Sequence, residues 1–197
     1  PELLKQGSET LAGRIAFHEL PGFDLSEVGA ENLDRLLFRG GFPRSYLARS
    51  HRGGADWRRD FVRTFVERDL PGLGIGVPAQ TMGRFWAMLA HYHAQVWNAS
   101  EFARSFGVSN TTVRNYLELL EGTFMVRLLQ PWAENVGKRI VKSPKLYLSD
   151  TGLLHTLLGL EAPQDLMRHP KLGASWEGFV LEQVIRHLGA RREECFF

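Results

Sequence analysis

The chain has 197 residues, 44% of them apolar and 23% charged, with a net charge of +2 and a pI near 8.9. That is the composition of a folded protein with room for more than one small core, not of a disordered segment, and its mild basic excess permits a nucleic-acid partner without requiring one. Cys195 is the only cysteine, which excludes an internal disulfide or a multi-cysteine zinc site; no apolar run reaches the roughly 20 residues that span a bilayer and the first residues lack a signal-peptide pattern, so a soluble, cytoplasmic protein is expected.

Residues 3 to 12 read as a helix closed by Gly13, and Ile15 to Leu20 as a strand. Pro21, Gly22 and the acidic Asp24 and Glu27 turn the chain into a helix around Val28 to Phe38, which Gly40, Gly41 and Pro43 break. After a polar loop at Ser50 to Gly54, Trp57, Phe61, Val62, Phe65 and Val66 mark an amphipathic helix ending near Leu70, with Arg58, Arg59, Arg63 and Arg68 elsewhere around it. Pro71, Gly72, Gly74, Gly76 and Pro78 place a domain boundary.

The next stretch carries the clearest pattern. Thr81 is expected to cap a helix with Met82, Phe85, Trp86, Leu89, His93 and Val96 on one face. Asn98 and Glu101 resemble a capping box opening a short helix that Gly107 stops. Ser109 then caps a second helix: Val113, Tyr116, Leu117 and Leu120 turn inward, Asn110, Thr111, Arg114, Asn115 and Glu118 turn outward, and Gly122 ends it. Short helix, glycine turn and polar-faced helix are the grammar of a helix-turn-helix. Thr123 to Leu129 and Lys145 to Leu148 read as two strands around a basic segment with Lys138, Arg139 and Lys142, which completes a winged helix.

Beyond it, Asp150 to Gly152 lead into an apolar helix at Leu153 to Leu160, and Ser175 caps a last helix with Trp176, Phe179, Val180, Val184 and Leu188 as its expected buried face. Cys195, Phe196 and Phe197 look like a strand that must borrow an edge or stay exposed.

Six short stretches, QGSETLAGRIAF at 6–17, RGGFP at 39–43, RTFVERDL at 63–70, YLELLEG at 116–122, KSPKLYLSDTGLL at 142–154 and GASWEGFVLEQ at 173–183, together resemble bacterial and archaeal AAA-type ATPases that carry a C-terminal domain of unknown function. The resemblance implies an ATPase core, then a helical region and winged helix, then a domain similar to restriction endonucleases. This chain holds no G-x-x-x-x-G-K-[ST] phosphate loop and no D...E-x-K carboxylates. It therefore implies the edge of an ATPase core at 1–22, a helical lid or linker at 23–76, the winged helix at 77–150 and the start of an α/β endonuclease-like domain at 151–197, mainly α with small β (α+β). No cofactor is expected in this stretch, while ATP and Mg²⁺ are expected for the full-length family protein.

The same resemblance puts Arg14 near a nucleotide sensor, against the simpler reading of a surface arginine paired with Glu9. It makes Glu177 a candidate endonuclease-like carboxylate, against a helix N-terminal acid stabilising the macrodipole. Arg68 and Asp69 resemble the family's R-D pair and read as a structural ion pair. His91 and His93, two apart on an expected helix, cannot share a metal, and no catalytic triad or metal set stands out. Two functions follow. In one, the winged helix contacts DNA through Asn110, Thr111, Arg114 and Asn115, with Lys138, Arg139 and Lys142 on flanking phosphate; in the other it is a packing element of a protein-interaction or self-associating module.

Overall fold

A computed structural model describes residues 19–74, 76–132 and 143–197. The expected amino-terminal helix and strand, Arg14, and the wing cations Lys138, Arg139 and Lys142 lie outside the described residues. The rest is mainly helical with one small antiparallel sheet, as the sequence pattern implied.

A helical region comes first. Asp24 opens α1 (Leu25–Val28) with a capping box shared with Glu27. Helix α2 (Leu33–Arg39) stops at Gly40, and Pro43 starts the single turn α3 (Pro43–Tyr46). Ser50 caps α4 (His51–Thr64) by accepting the Gly53 N–H at 3.0 Å. A π turn at Phe65–Asp69 then carries the helix into the short α5 (Leu70–Gly72). The turn's extra residue rotates the helix face, so that Phe65, Val66 and Leu70 all point into the core. Two expectations fail on this helix. Arg68 and Asp69 are exposed and form no ion pair with one another; the neighbouring pair is Arg63 with Glu67 at 3.1 Å. Arg58, expected on the polar side, is fully buried.

The winged helix follows in the order α6 (Ala79–His91), β1 (Gln95–Val96), α7 (Ala99–Phe106), α8 (Asn110–Gly122), β2 (Val126–Leu129) and β3 (Lys145–Leu148). The strands stand in the order β1-β3-β2, with Gln95 opposite Leu146 and Val126 opposite Leu148. Helix α6 starts two residues earlier than Thr81, directly after Pro78, whose fixed φ and missing donor suit a helix start. It also ends sooner, at His91, so Val96 is a half-exposed strand residue and not part of the helical stripe. Phe85 is the centre of the core, meeting the rings of Trp97, Phe102, Phe106 and Tyr116 edge-on at 5.5–6.2 Å. Burying a side chain of this size contributes about 1.5–3 kcal/mol by area alone, and the edge-on geometry adds to it.

Three α-helices follow the sheet, α9 (Thr151–Leu157), α10 (Pro163–Arg168) and α11 (Leu172–Leu188), and a single 3-10 turn at Arg192–Glu194 comes after them. Strand alternation sends Val126, Leu146 and Leu148 toward the helix-turn-helix core and Arg127 and Tyr147 to the opposite face, where α11 lies. One apolar cluster runs from Phe65 to Leu154, and so crosses both boundaries expected near residues 76 and 150. A second, smaller cluster joins Leu36, Leu37 and Phe38 of α2 to Leu166 and Phe179. The C-terminal residues find their edge within the chain: Phe197 donates to the Gln130 carbonyl at 2.9 Å, and Trp132 donates to that of Phe197 at 2.7 Å.

The helical region is fastened to the winged helix at Asp150. Its carboxylate accepts the Leu153 N–H at 2.8 Å, capping α9, and the Gly41 N–H at 2.7 Å. Gly40, at φ 74, lies so close that a Cβ there would sit 2.2 Å from Asp150 Oδ1. Gly40→Ala is therefore expected to lower unfolding stability in urea by more than about 2 kcal/mol. Gly107→Ala, left-handed at φ 63 but with nothing within 4 Å, is expected to lower it by about 1 kcal/mol. Equal losses would contradict the role given to the Asp150 contact.

Candidate nucleic-acid interface

Caps set the helix-turn-helix. Asn98 accepts the Ser100 N–H at 3.1 Å to open α7, and Gly107 closes it at φ 63. Glu101 does not complete a capping box: its carboxylate instead takes the Tyr92 hydroxyl proton, a bond that pushes the phenol up to about 12. Ser109 opens α8 by accepting the Thr112 N–H at 3.1 Å. With Val113, Leu117 and Leu120 buried beneath it, the helix turns Asn110, Thr111, Arg114, Asn115 and Glu118 to solvent, all five exposed.

The described elements leave this face uncovered. Arg114 has no carboxylate within 4.0 Å among the described residues, and Asn110 reaches only Ser100 Oγ, at 3.4 Å. Chemically the face suits base edges: asparagine matches adenine and arginine matches guanine in bidentate geometry, while threonine offers a methyl and a hydroxyl. Glu118, a turn further on, repels phosphate and confines favourable contact to the first turns. Sequence reasoning missed two exposed cations nearby in the motif, Arg104 on α7 and Arg84 on α6, the latter 5.5 Å from the Phe106 ring centroid. Their positions opposite the apolar stripes of their helices were the available signal.

Glu177 ties the last helix to the sheet. Its Oε1 accepts from Lys145 Nζ at 2.8 Å and from the Tyr147 hydroxyl at 2.6 Å, joining α11 to β3. Partial burial works to raise its pKa, but these two bonds and the lysine charge hold it below the ordinary glutamate value. Among the described residues no three His, Cys, Asp or Glu side chains gather as a metal-ligand set. A second clamp is buried: Arg127 of β2 meets Glu182 in two bonds of 2.5 and 3.1 Å, and Arg186 stands 3.9 Å from the same carboxylate. Burial alone would weaken the Arg127 charge, yet the Glu182 bonds keep its pKa above the usual value. Arg186 also donates to the carbonyls of Gly22 and Phe23, at 3.1 and 3.2 Å.

Two buried histidines support the sheet and helices from behind. His93 Nδ1 accepts the Leu148 N–H at 3.0 Å, and its Nε2 lies so near α11 that a Cβ on Gly178 would be 2.4 Å away. His155 lies between the Phe38 carbonyl at 3.0 Å and Ser175 Oγ at 2.7 Å, with its ring on Phe38. Desolvation by burial drives His93 down to about 3 and His155 to about 4, so both are neutral at physiological pH.

The element order, the three-stranded sheet and the open polar face of α8 define a winged-helix protein. Residues 30–164 match the family described as a domain of unknown function, DUF8612, and the chain belongs to that family. Two uncharacterized proteins, Mb2031c of Mycobacterium bovis and Rv2008c of Mycobacterium tuberculosis, are each 53% identical to it over 184 residues. The match covers 93% of this chain and 42% of theirs, so the chain spans less than half the length of these relatives. Among solved structures, that of the transcriptional regulator PA3341 aligns with 69% of this chain and 96% of its own at 21% identity, with a TM-score of 0.28, too loose a superposition to argue from.

The histidines set an acid limit. Their folded pKa values lie below the unfolded value near 6.5, so their contribution is intact above that pH, and it falls once the unfolded chain takes up protons that the native state refuses. Stability is expected to decline between pH 6.5 and 4 by about 1.4 kcal/mol per pH unit for each histidine, and His155→Gln is expected to remove one histidine's share of that slope. Urea midpoints across pH measure this; an unchanged slope in the variant would contradict it.

Proposed function

We propose that the winged helix binds duplex DNA, with α8 in the major groove and the wing on adjacent phosphate. The observation that carries this reading is that Asn110, Thr111, Arg114 and Asn115 share one solvent-exposed face at the start of the second helix of the motif. Arg104, and Lys138, Arg139 and Lys142 by their place in the sequence, supply flanking positive charge. The reading extends to the longer protein: it is an AAA-type ATPase whose nucleotide site, with ATP and Mg²⁺, lies outside this chain, and whose winged helix couples nucleotide state to DNA contact. The order of the six resembling stretches and the greater length of the relatives support that extension.

A second reading, a protein-interaction module, has one specific observation in its favour. Trp176, Val180, Val184 and Leu188, expected to be buried, instead form an exposed apolar stripe along α11. Beside it an open groove of about 300 Å³ is lined by Leu25, Val184, His187 and Leu188. A stripe of this kind marks an interaction surface more often than a nucleic-acid contact.

Duplex binding across a salt series separates the two. Each phosphate contact steepens the fall of log affinity with log salt by about 0.9. Changing Lys138, Arg139 and Lys142 together to Ala is expected to flatten that slope and weaken binding on every sequence, while Arg114→Ala mainly reduces preference among sequences. No binding by the parent at low salt, or one shared slope for all three proteins, sinks the DNA reading in favour of the second.

A further inference from the structure

Between positions 35 and 58 the chain holds six arginines and His51 against a single acid, Asp56, so this stretch alone carries more positive charge than the net +2 of the whole molecule. Elsewhere six guanidiniums find carboxylates, at Arg59, Arg63, Arg127, Arg186, Arg191 and Arg192, while Arg68, Arg84, Arg104, Arg114 and Arg168, spread along the chain, form no ion pair among the described residues. Arg35, Arg39, Arg49, Arg52 and Arg58 have none within 4.0 Å among the described residues, and Asp56 is already taken by Arg59.

Several of these charges converge at the start of α4. Arg35 donates through Nε and Nη2 to the Tyr46 carbonyl at 3.2 and 2.8 Å. Arg39, only 6% exposed, donates through Nη1 to the carbonyls of Tyr46 and Ala48, at 3.1 and 2.6 Å. Its Nε stands 3.3 Å from His51 Nδ1, so that nitrogen accepts and the neutral ring keeps its proton on Nε2. Among the described residues Arg39 Nη2 meets no acceptor, and neither do the main-chain N–H groups of His51 and Arg52 in the first turn of α4. Behind them the buried Arg58 donates to Ser45 Oγ at 2.8 Å, with its Nη2 unpaired. Like charge acts on like: after burial, the neighbouring arginines are what lower the affinity of His51 for a proton.

Capping the carbonyls at the end of α3 accounts for the inner edges of Arg35 and Arg39. It leaves unexplained why a cluster of cations is kept without a carboxylate, beside two unused helix amides. We infer that this cluster is a binding site for a phosphate group, held by Arg39, Arg35, His51 and the first-turn amides of α4, with Arg49 and Arg52 at its rim. A doubly charged tetrahedral anion is what such a set satisfies: planar guanidinium donors, an imidazole N–H, and the positive end of a fourteen-residue helix. The phosphate belongs either to a small phosphorylated ligand or to a nucleic-acid backbone.

Calorimetric titration of the 197-residue protein with pyrophosphate, at ionic strength held constant with chloride, tests the site. Saturable binding is expected. It should weaken about tenfold or more in Arg39→Gln and in the double variant His51→Gln with Arg52→Gln, each of which removes a charged or polar donor, and should be unchanged in Arg114→Ala. The double variant alters exposed side chains only, so it decides the matter even where Arg39→Gln fails to fold. No heat above the chloride control, or binding that the double variant leaves intact, would overturn the inference. Adding a short DNA duplex identifies the source: displacement of pyrophosphate, with weaker duplex binding in the double variant, assigns the phosphate to DNA, whereas undisturbed pyrophosphate binding assigns it to a small ligand. Because Arg114→Ala affects only the α8 face, failure of that DNA contact and failure of this site are read separately.

Discussion

Asp150 accepts the Leu153 N–H through one oxygen and the Gly41 N–H through the other, and the architecture depends on that double use. The first bond starts α9 immediately after β3, which brings Leu153 and Leu154 into the winged-helix core. The second ties the Gly41 turn, between α2 and α3, to the start of α9. Burial tends to keep the carboxyl protonated and raises its pKa, while the two N–H donors and the charges of Arg58 and Arg186 oppose that. Gly152 shows how close the joint is, since a Cβ there would lie 2.1 Å from the Arg39 carbonyl.

From this joint a chain of bonds returns to the sheet. Phe23 donates to the Gly41 carbonyl at 2.8 Å, Arg186 donates to the Phe23 carbonyl, and Arg186 and Arg127 share Glu182. The sheet therefore has two differently made faces, an apolar one against the helix-turn-helix and a polar, clamped one against α11. Buried ion pairs of this kind add little net stability over apolar packing, but removing one partner leaves an uncompensated charge. They fix where α11 lies, on the face of the sheet away from the helix-turn-helix, and the described elements leave the polar face of α8 uncovered.

The helix-turn-helix was legible because its signals are local: Asn98 and Ser109 as caps, Gly107 as a left-handed stop, and apolar spacing that put Val113, Leu117 and Leu120 inside and Asn110, Thr111, Arg114, Asn115 and Glu118 outside. Position 96 was misread because an apolar residue at helical spacing cannot announce that the helix stops at His91, where Ala94 turns left-handed at φ 62. Arg58 and the α11 stripe failed for one shared reason. A charged residue reads as solvent-facing and a tryptophan or valine as core, and only tertiary contacts reverse either assignment. The arginine-rich stretch at 35–58 was visible as composition, but its lack of carboxylate partners is a property of the folded chain.

Joined through Asp150 and a shared apolar cluster, the helical region and the winged helix are expected to open as one cooperative body. Native-state hydrogen exchange in rising denaturant tests it most directly. The slowest amides of α4 and of α8 should converge on a single opening free energy, and Asp150→Asn should lower both together. Opening of α4 at clearly lower free energy, with α8 still protected, would contradict it.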